Sequence, residues 1–192
     1  MSFAVALLAA STLALTPVGL SPTGSPAGGA HGEGADVSAV FADPTGDVLR
    51  AVTFDSDAVP PGARVTVTER TGRDGTRIRL RLEGVEPDRT FGAHVHTNPC
   101  GTRPEDSGGH YQQDRDPKQP STDPAYANPR NEVWLDLTTD GRGDGSSSAS
   151  VAWRFRPGEA RSVVIHEHAT ERAPGRAGMA GARLACVNVP FA

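Results

Sequence analysis

From residue 47 onward, apolar and polar residues alternate with a period of two, the pattern of strands that bury one face. Val48, Ala51, Val52 and Phe54 mark a first strand, and Val65 and Val67 with their flanking threonines mark a second. In the third, Ile78, Leu80 and Leu82 alternate with Arg77, Arg79 and Arg81. The intervening Thr71-Gly72-Arg73-Asp74-Gly75 has the composition of a hairpin turn. Further strands are predicted at 91–96, 133–137, 149–155, 162–166 and 182–189, with Trp134 facing opposite to Val133 and Leu135. Eight short strands separated by turns predict an all-β fold, an antiparallel sandwich or barrel. Two connections, 97–130 and 169–181, are too long for hairpins. Loops of that length in a compact domain usually carry function.

Composition sharpens this picture. The 192 residues suit one domain, and Gly 22 with Pro 16 disfavours long helices. A net charge of -4 with scattered basic residues gives no footprint for nucleic acid. Residues 3–15 are apolar apart from Ser11 and Thr12. A membrane span needs about 20 apolar residues, so this run suits a signal peptide instead, although no Lys or Arg precedes it. Small residues near Ala27 and Ala30 offer a cleavage site. The expected organisation is a signal peptide at 1–30, a flexible linker at 31–46 and one domain at 47–192, in a secreted or cell-envelope protein without a transmembrane span. In an exported chain the two cysteines, Cys100 and Cys186, favour one disulfide. Closing so long a loop contributes roughly 4–5 kcal/mol in the chain-entropy account.

The histidines carry the candidate chemistry. His94 and His96 are two apart on a strand, so both rings share one face. His110 follows in the first long loop, His166 ends the seventh strand, His168 lies two residues on, and His31 stands outside the domain. Four imidazoles suit copper, zinc or nickel, and the affinity order favours copper.

Four segments, in order, resemble the copper/zinc superoxide dismutase family. Phe91-Gly92-Ala93-His94-Val95-His96 resembles its G-F-H-V-H strand, and Gly108-Gly109-His110-Tyr111 its G-G-H-L segment. Val163-Val164-Ile165-His166-Glu167 is similar to its V-V-H-E strand end, and Gly178-Met179-Ala180-Gly181-Ala182-Arg183-Leu184-Ala185-Cys186 to its G-N-A-G-x-R-x-A-C segment. The resemblance covers residues 47–190 and implies an eight-stranded Greek-key barrel. It also implies superoxide as substrate, turned over to oxygen and hydrogen peroxide by a copper centre. His94, His96 and His166 match the ligands of copper alone, and His110 matches the histidine shared with zinc and the candidate proton donor. Arg183 matches the arginine that attracts and orients the anion. Cys100 and Cys186 match the family's disulfide. Around Arg183, His168, Arg172 and Arg176 are candidates for a steering rim.

The chain departs from the family at zinc. Residues 111–135 contain no histidine, and their acids are Asp114, Asp116, Asp123 and Glu132. A zinc site normally wants several nitrogen or sulfur ligands, so zinc is expected to be weak or absent. The family's aspartate joining the two metal sites also has no counterpart, since Thr170 stands near its place. A metal-bound histidine usually donates its other ring N–H to an acceptor. Glu132 and Asp136, both near the fifth strand, are the candidates to hold His110, with Glu132 favoured for its reach. Two other readings use the same fold: an exported copper-binding or copper-buffering protein without turnover, and a metal-free structural sandwich. The presence of Arg183 argues against the first and the four retained histidines against the second.

Overall fold

The structure, a computed structural model, describes residues 1–4, 34–45 and 50–192. Residues 5–30 of the expected signal segment, His31 and Val48 lie outside the described residues. Among those described, nine strands and one turn of 3-10 helix form the fold: β1 Asp36–Val40, β2 Ala51–Thr53, β3 Arg64–Gly72, β4 Gly75–Glu83, β5 Thr90–His96, the helical turn Pro104–Ser107, β6 Leu137–Thr138, β7 Gly145–Val151, β8 Ser162–His166 and β9 Arg183–Asn188. They make two antiparallel sheets, ordered β1-β3-β4-β7 and β2-β9-β8-β5-β6. Neighbours such as β4 and β7, or β2 and β9, are far apart in sequence, so the chain crosses between sheets as Greek-key folds do. No ladder joins the two sheets among the described residues, so the expected all-β Greek-key fold takes its sandwich form.

The sheets meet on their alternating apolar faces. Ile78, Leu80 and Leu82 are fully buried, while Arg77, Arg79 and Arg81 between them face water. Val65 and Val67 extend that face on β3, and Phe91, Ala93, Val95, Val163, Ile165 and Val187 oppose it from the second sheet. Each fully buried side chain of this kind contributes about 1.5–3 kcal/mol relative to exposure.

Three strands depart from the expected pattern. β1 falls inside the expected linker. Its apolar residues are small and few, and pairing with β3 fixes it, with Val37 opposite Val67. The fifth predicted strand shrinks to the two residues of β6, because residues 132–136 follow the loop. Its alternation persists all the same: Val133, Leu135 and Leu137 enter the core. β7 begins at Gly145, earlier than its apolar residues indicate, because the serine-rich stretch completes the ladder to β4.

β5 differs from an ordinary half-buried strand. After Thr90 every residue is buried. Phe91, Ala93 and Val95 face the core, so His94 and His96 occupy the outer face of the sheet, where the long loops cover them. Register carries that face across the sheet: Gly92 pairs His166 and His94 pairs Val164 on β8, and Val164 pairs Cys186 on β9. Paired residues share a face.

Candidate metal centre

One irregularity completes the site. Ile165 pairs Ala185, but His166 pairs Arg183, leaving Leu184 as the extra residue of a bulge. Leu184 and Ala185 both enter the core. Without the bulge, His166 would face Leu184 and Arg183 would turn toward the core. Bulges often re-aim a side chain in this way. A second cluster on the outer face, Val52, Val164 and Cys186 with Phe54 and Cys100, packs around the disulfide. Cys100 and Cys186 are bonded, with their Cα atoms 5.7 Å apart. The bond ties the loop after β5 to β9.

That loop returns to the sheet at His110, whose backbone bridges His96. His94, His96, His110 and His166 then converge, each offering one ring nitrogen, all within 4.8 Å of one another. His94, His96 and His166 are buried, and His110 is partly open. The outward nitrogens have partners. His96 Nδ1 donates to the Gly108 carbonyl at 3.0 Å and His166 Nδ1 to the Gly181 carbonyl at 3.5 Å. Both glycines have positive φ, 72° and 78°. A side chain at either would be strained and would crowd Thr97 or Glu167. His94 Nε2 lies 2.7 Å from Thr170 Oγ1.

The inward nitrogens do not have such partners. With their protons at Nδ1, the Nε2 atoms of His96 and His166 face each other as two acceptors 3.3 Å apart. His94 Nδ1 is the one buried side-chain N or O atom without a hydrogen-bond partner among the described residues. A cation resolves both defects, so the donor set fits a metal ion. Burial first, and then the neighbouring imidazoles, push His94 and His96 well below the usual histidine range. Burial, with His110 next, brings His166 down to about 3. Neutral rings are what metal binding requires.

His110 Nδ1 lies 3.0 Å from Glu132 Oε2. Glu132 is buried and accepts two more bonds, from Trp134 Nε1 at 2.7 Å and Gln112 Nε2 at 2.8 Å. Gln112 Oε1 in turn accepts from the Asp116 amide and from Gln119. Among the described residues this side holds no second cluster of histidines, cysteines and acids. Asp136, the other acid considered for His110, binds elsewhere: it accepts from the Thr170 amide and hydroxyl. It sits at the far end of the segment, beside β5 and the loop after β8, and so turns away from His110.

A cavity of about 380 Å³ opens onto the group, lined by His110, His166, Glu132, Gly178, Met179 and Arg183 among others. Arg183 Nη1 donates to the Pro104 carbonyl and the Ser107 hydroxyl, both at 2.9 Å. Burial lowers the guanidinium's pKa, and nearby Glu105 opposes the shift. The other expected steering residues do not join Arg183. Arg172 lies over the Trp134 ring, Arg176 pairs with Glu171, and His168 donates to its neighbour's carbonyl. None of the three lines this cavity. Arg176 and His168 find local partners and Arg172 a ring outside its loop, none of which their spacing in sequence hints at. Sequence reasoning missed Thr170's bond to His94, Gln112, Trp134's bond to Glu132 and the Leu184 bulge. The sequence marks Thr170 as a gap in the family pattern and Trp134 as facing opposite to its neighbours, but neither reading supplies the bond each side chain makes.

The family profile described as "Copper/zinc superoxide dismutase (SODC)" matches residues 62–189. The chain therefore belongs to the copper/zinc superoxide dismutase family. Among solved structures, the Cu/Zn superoxide dismutase from Brucella abortus is 22% identical, with a TM-score of 0.53, over 81% of this chain and 99% of that one. That likeness shows the sandwich fold. A SOD-like protein from Bacillus subtilis is 18% identical, with a TM-score of 0.49, over 65% of this chain and 88% of that one. No curated protein matches the chain significantly.

Proposed function

We propose that this chain is an exported, copper-dependent superoxide dismutase that works without zinc. The observation that carries the reading is the set of four converging ring nitrogens, one of them buried and unpartnered, with His110 and His166 of the set lining the same cavity as Arg183. Four imidazoles suit copper over harder ions. Copper bound there would supply the one-electron couple that oxidises one superoxide and reduces the next.

The chain's own groups do the rest. Arg183 presents a cation to an arriving anion, held in place by the Pro104 carbonyl and Ser107. Fixed charge of this kind raises association rates by 10–10³-fold, superoxide dismutases being a well-known case. His110 is the partly open ring of the four. Pinned at Nδ1 by Glu132, it leaves Nε2 as its donor nitrogen; when that nitrogen is not engaged by the metal it can take a proton from solvent and deliver it to the departing peroxide. Glu132, stabilised by Trp134 and Gln112, takes the place that zinc fills elsewhere in the family. Residues 1–30 would direct export, and the Cys100–Cys186 bond suits an oxidising compartment.

The test is a superoxide dismutation assay on the purified domain, stripped of metal and then given copper. Activity that appears with copper alone supports the reading. Stoichiometric copper without turnover would make the chain a copper-binding protein instead.

A further inference from the structure

The proton arrangement of His94 is not left to chance. Thr170, on the loop after β8, gives its amide to Asp136 Oδ2 at 2.8 Å and its hydroxyl to Asp136 Oδ1 at 2.6 Å. The same Oδ1 takes the amide of Ala93, the residue before His94, at 3.4 Å. We infer that Asp136 and Thr170 form a positioning relay that fixes His94 as the tautomer with its proton on Nε2, keeping Nδ1 free for the metal. The relay rests on the reading of the four histidines as a metal centre.

The argument is one of counting protons. A hydroxyl has one proton, and an ionised carboxylate only accepts. Once Thr170 has given its proton to Asp136, its oxygen can only accept from the ring nitrogen 2.7 Å away. His94 Nε2 must then be the donor. A neutral imidazole protonated at Nε2 carries its lone pair at Nδ1, and Nδ1 is the buried atom with no partner. If the hydroxyl instead turned to His94, the ring would have to carry its proton at Nδ1, inside the site. Asp136 is what prevents that turn. His96 and His166 need no such relay, because backbone carbonyls hold their Nδ1 atoms directly.

The primary test reads the ring and not the reaction. Long-range nitrogen–proton correlation spectra of the full chain, stripped of metal, should show His94 protonated at Nε2. Thr170→Val should populate the Nδ1-protonated form and weaken copper binding 10–100-fold, the usual cost of losing an outer partner of a metal ligand. Thr170→Ser should restore both. Asp136→Asn can donate its amide to Thr170 Oγ1, freeing the hydroxyl for His94, and should shift the ring toward the Nδ1-protonated form. An Nδ1-protonated His94 in the unmutated chain would overturn the relay. So would a Thr170→Val chain with unchanged ring protonation and copper affinity. A chain with the expected tautomer, the expected variant effects and no superoxide turnover would remove the proposed function and support the relay.

Discussion

His110 divides the centre into two sides built on opposite rules. On one side, His94, His96 and His166 present buried nitrogens that face one another or nothing. On the other, Glu132 is buried just as deeply, but three donors point at it and its neighbours Gln112 and Asp116 are bonded in turn. Buried polar groups are nearly always satisfied. Unsatisfied ones clustered at one point therefore mark where something binds, and the saturated network marks where nothing further is needed. The difference teaches how one ring can be held on the edge of an open cluster: a satisfied carboxylate, Glu132, fixes the orientation of His110.

The sharpest way to break the comparison is at the unsatisfied side. His96→Ala removes a ligand and should abolish tight copper binding and all dismutation. Copper retained at full affinity, read by competition with a chelator, would mean that the four nitrogens are not the site. Arg183→Glu should come next, slowing dismutation 10–10³-fold while copper stays bound. The unmutated rate should also fall as salt rises, because salt screens steering. A variant as fast as the parent at low salt would remove Arg183 from the account.

At the satisfied side the effect should be smaller. Glu132→Gln keeps the shape but weakens the hold on His110, so activity should drop 10–100-fold with copper still present. Unchanged kinetics would show that His110 needs no anchor there.

The smallest effect is on the metal-free fold. Unfolded, a histidine titrates near pH 6.5, whereas His166 in the fold resists protonation down to about 3 and His94 and His96 also lie well below 6.5. Between those values the unfolded chain binds more protons, so acid favours unfolding. The stability is fully present above pH 6.5 and is lost as pH falls toward 3, by at most about 1.4 kcal/mol per pH unit for each ring. Buried Glu69 acts oppositely, since burial raises its pKa. Comparing thermal unfolding of the metal-free chain with a His166→Gln variant at pH 7 and pH 5 isolates one ring. The variant should lose less stability on acidification, and equal losses would contradict a buried neutral His166.

Much of this was legible in the sequence because it rides on strand alternation. The period of two set β3, β4, β5 and β8, and the His94-Val95-His96 spacing put two rings on one face. The need of His110 for an acceptor pointed to the two acids near the fifth strand, and the longer reach of Glu132 favoured it over Asp136. What stayed hidden depends on tertiary register. Nothing local announces that Leu184 bulges and so turns Arg183 outward, or that Thr170 donates to the Asp136 carboxylate 34 residues away. β1 was concealed for the same reason, since its pairing with β3 and not its composition makes it a strand.

The measurement closest to the central claim is metal content. The exported domain should be stripped, reconstituted with excess copper and zinc together, dialysed and analysed for both elements. One copper per chain, with zinc well below one, is the result that follows from four open imidazoles beside a saturated carboxylate network. A full, tightly held equivalent of zinc alongside copper would contradict it.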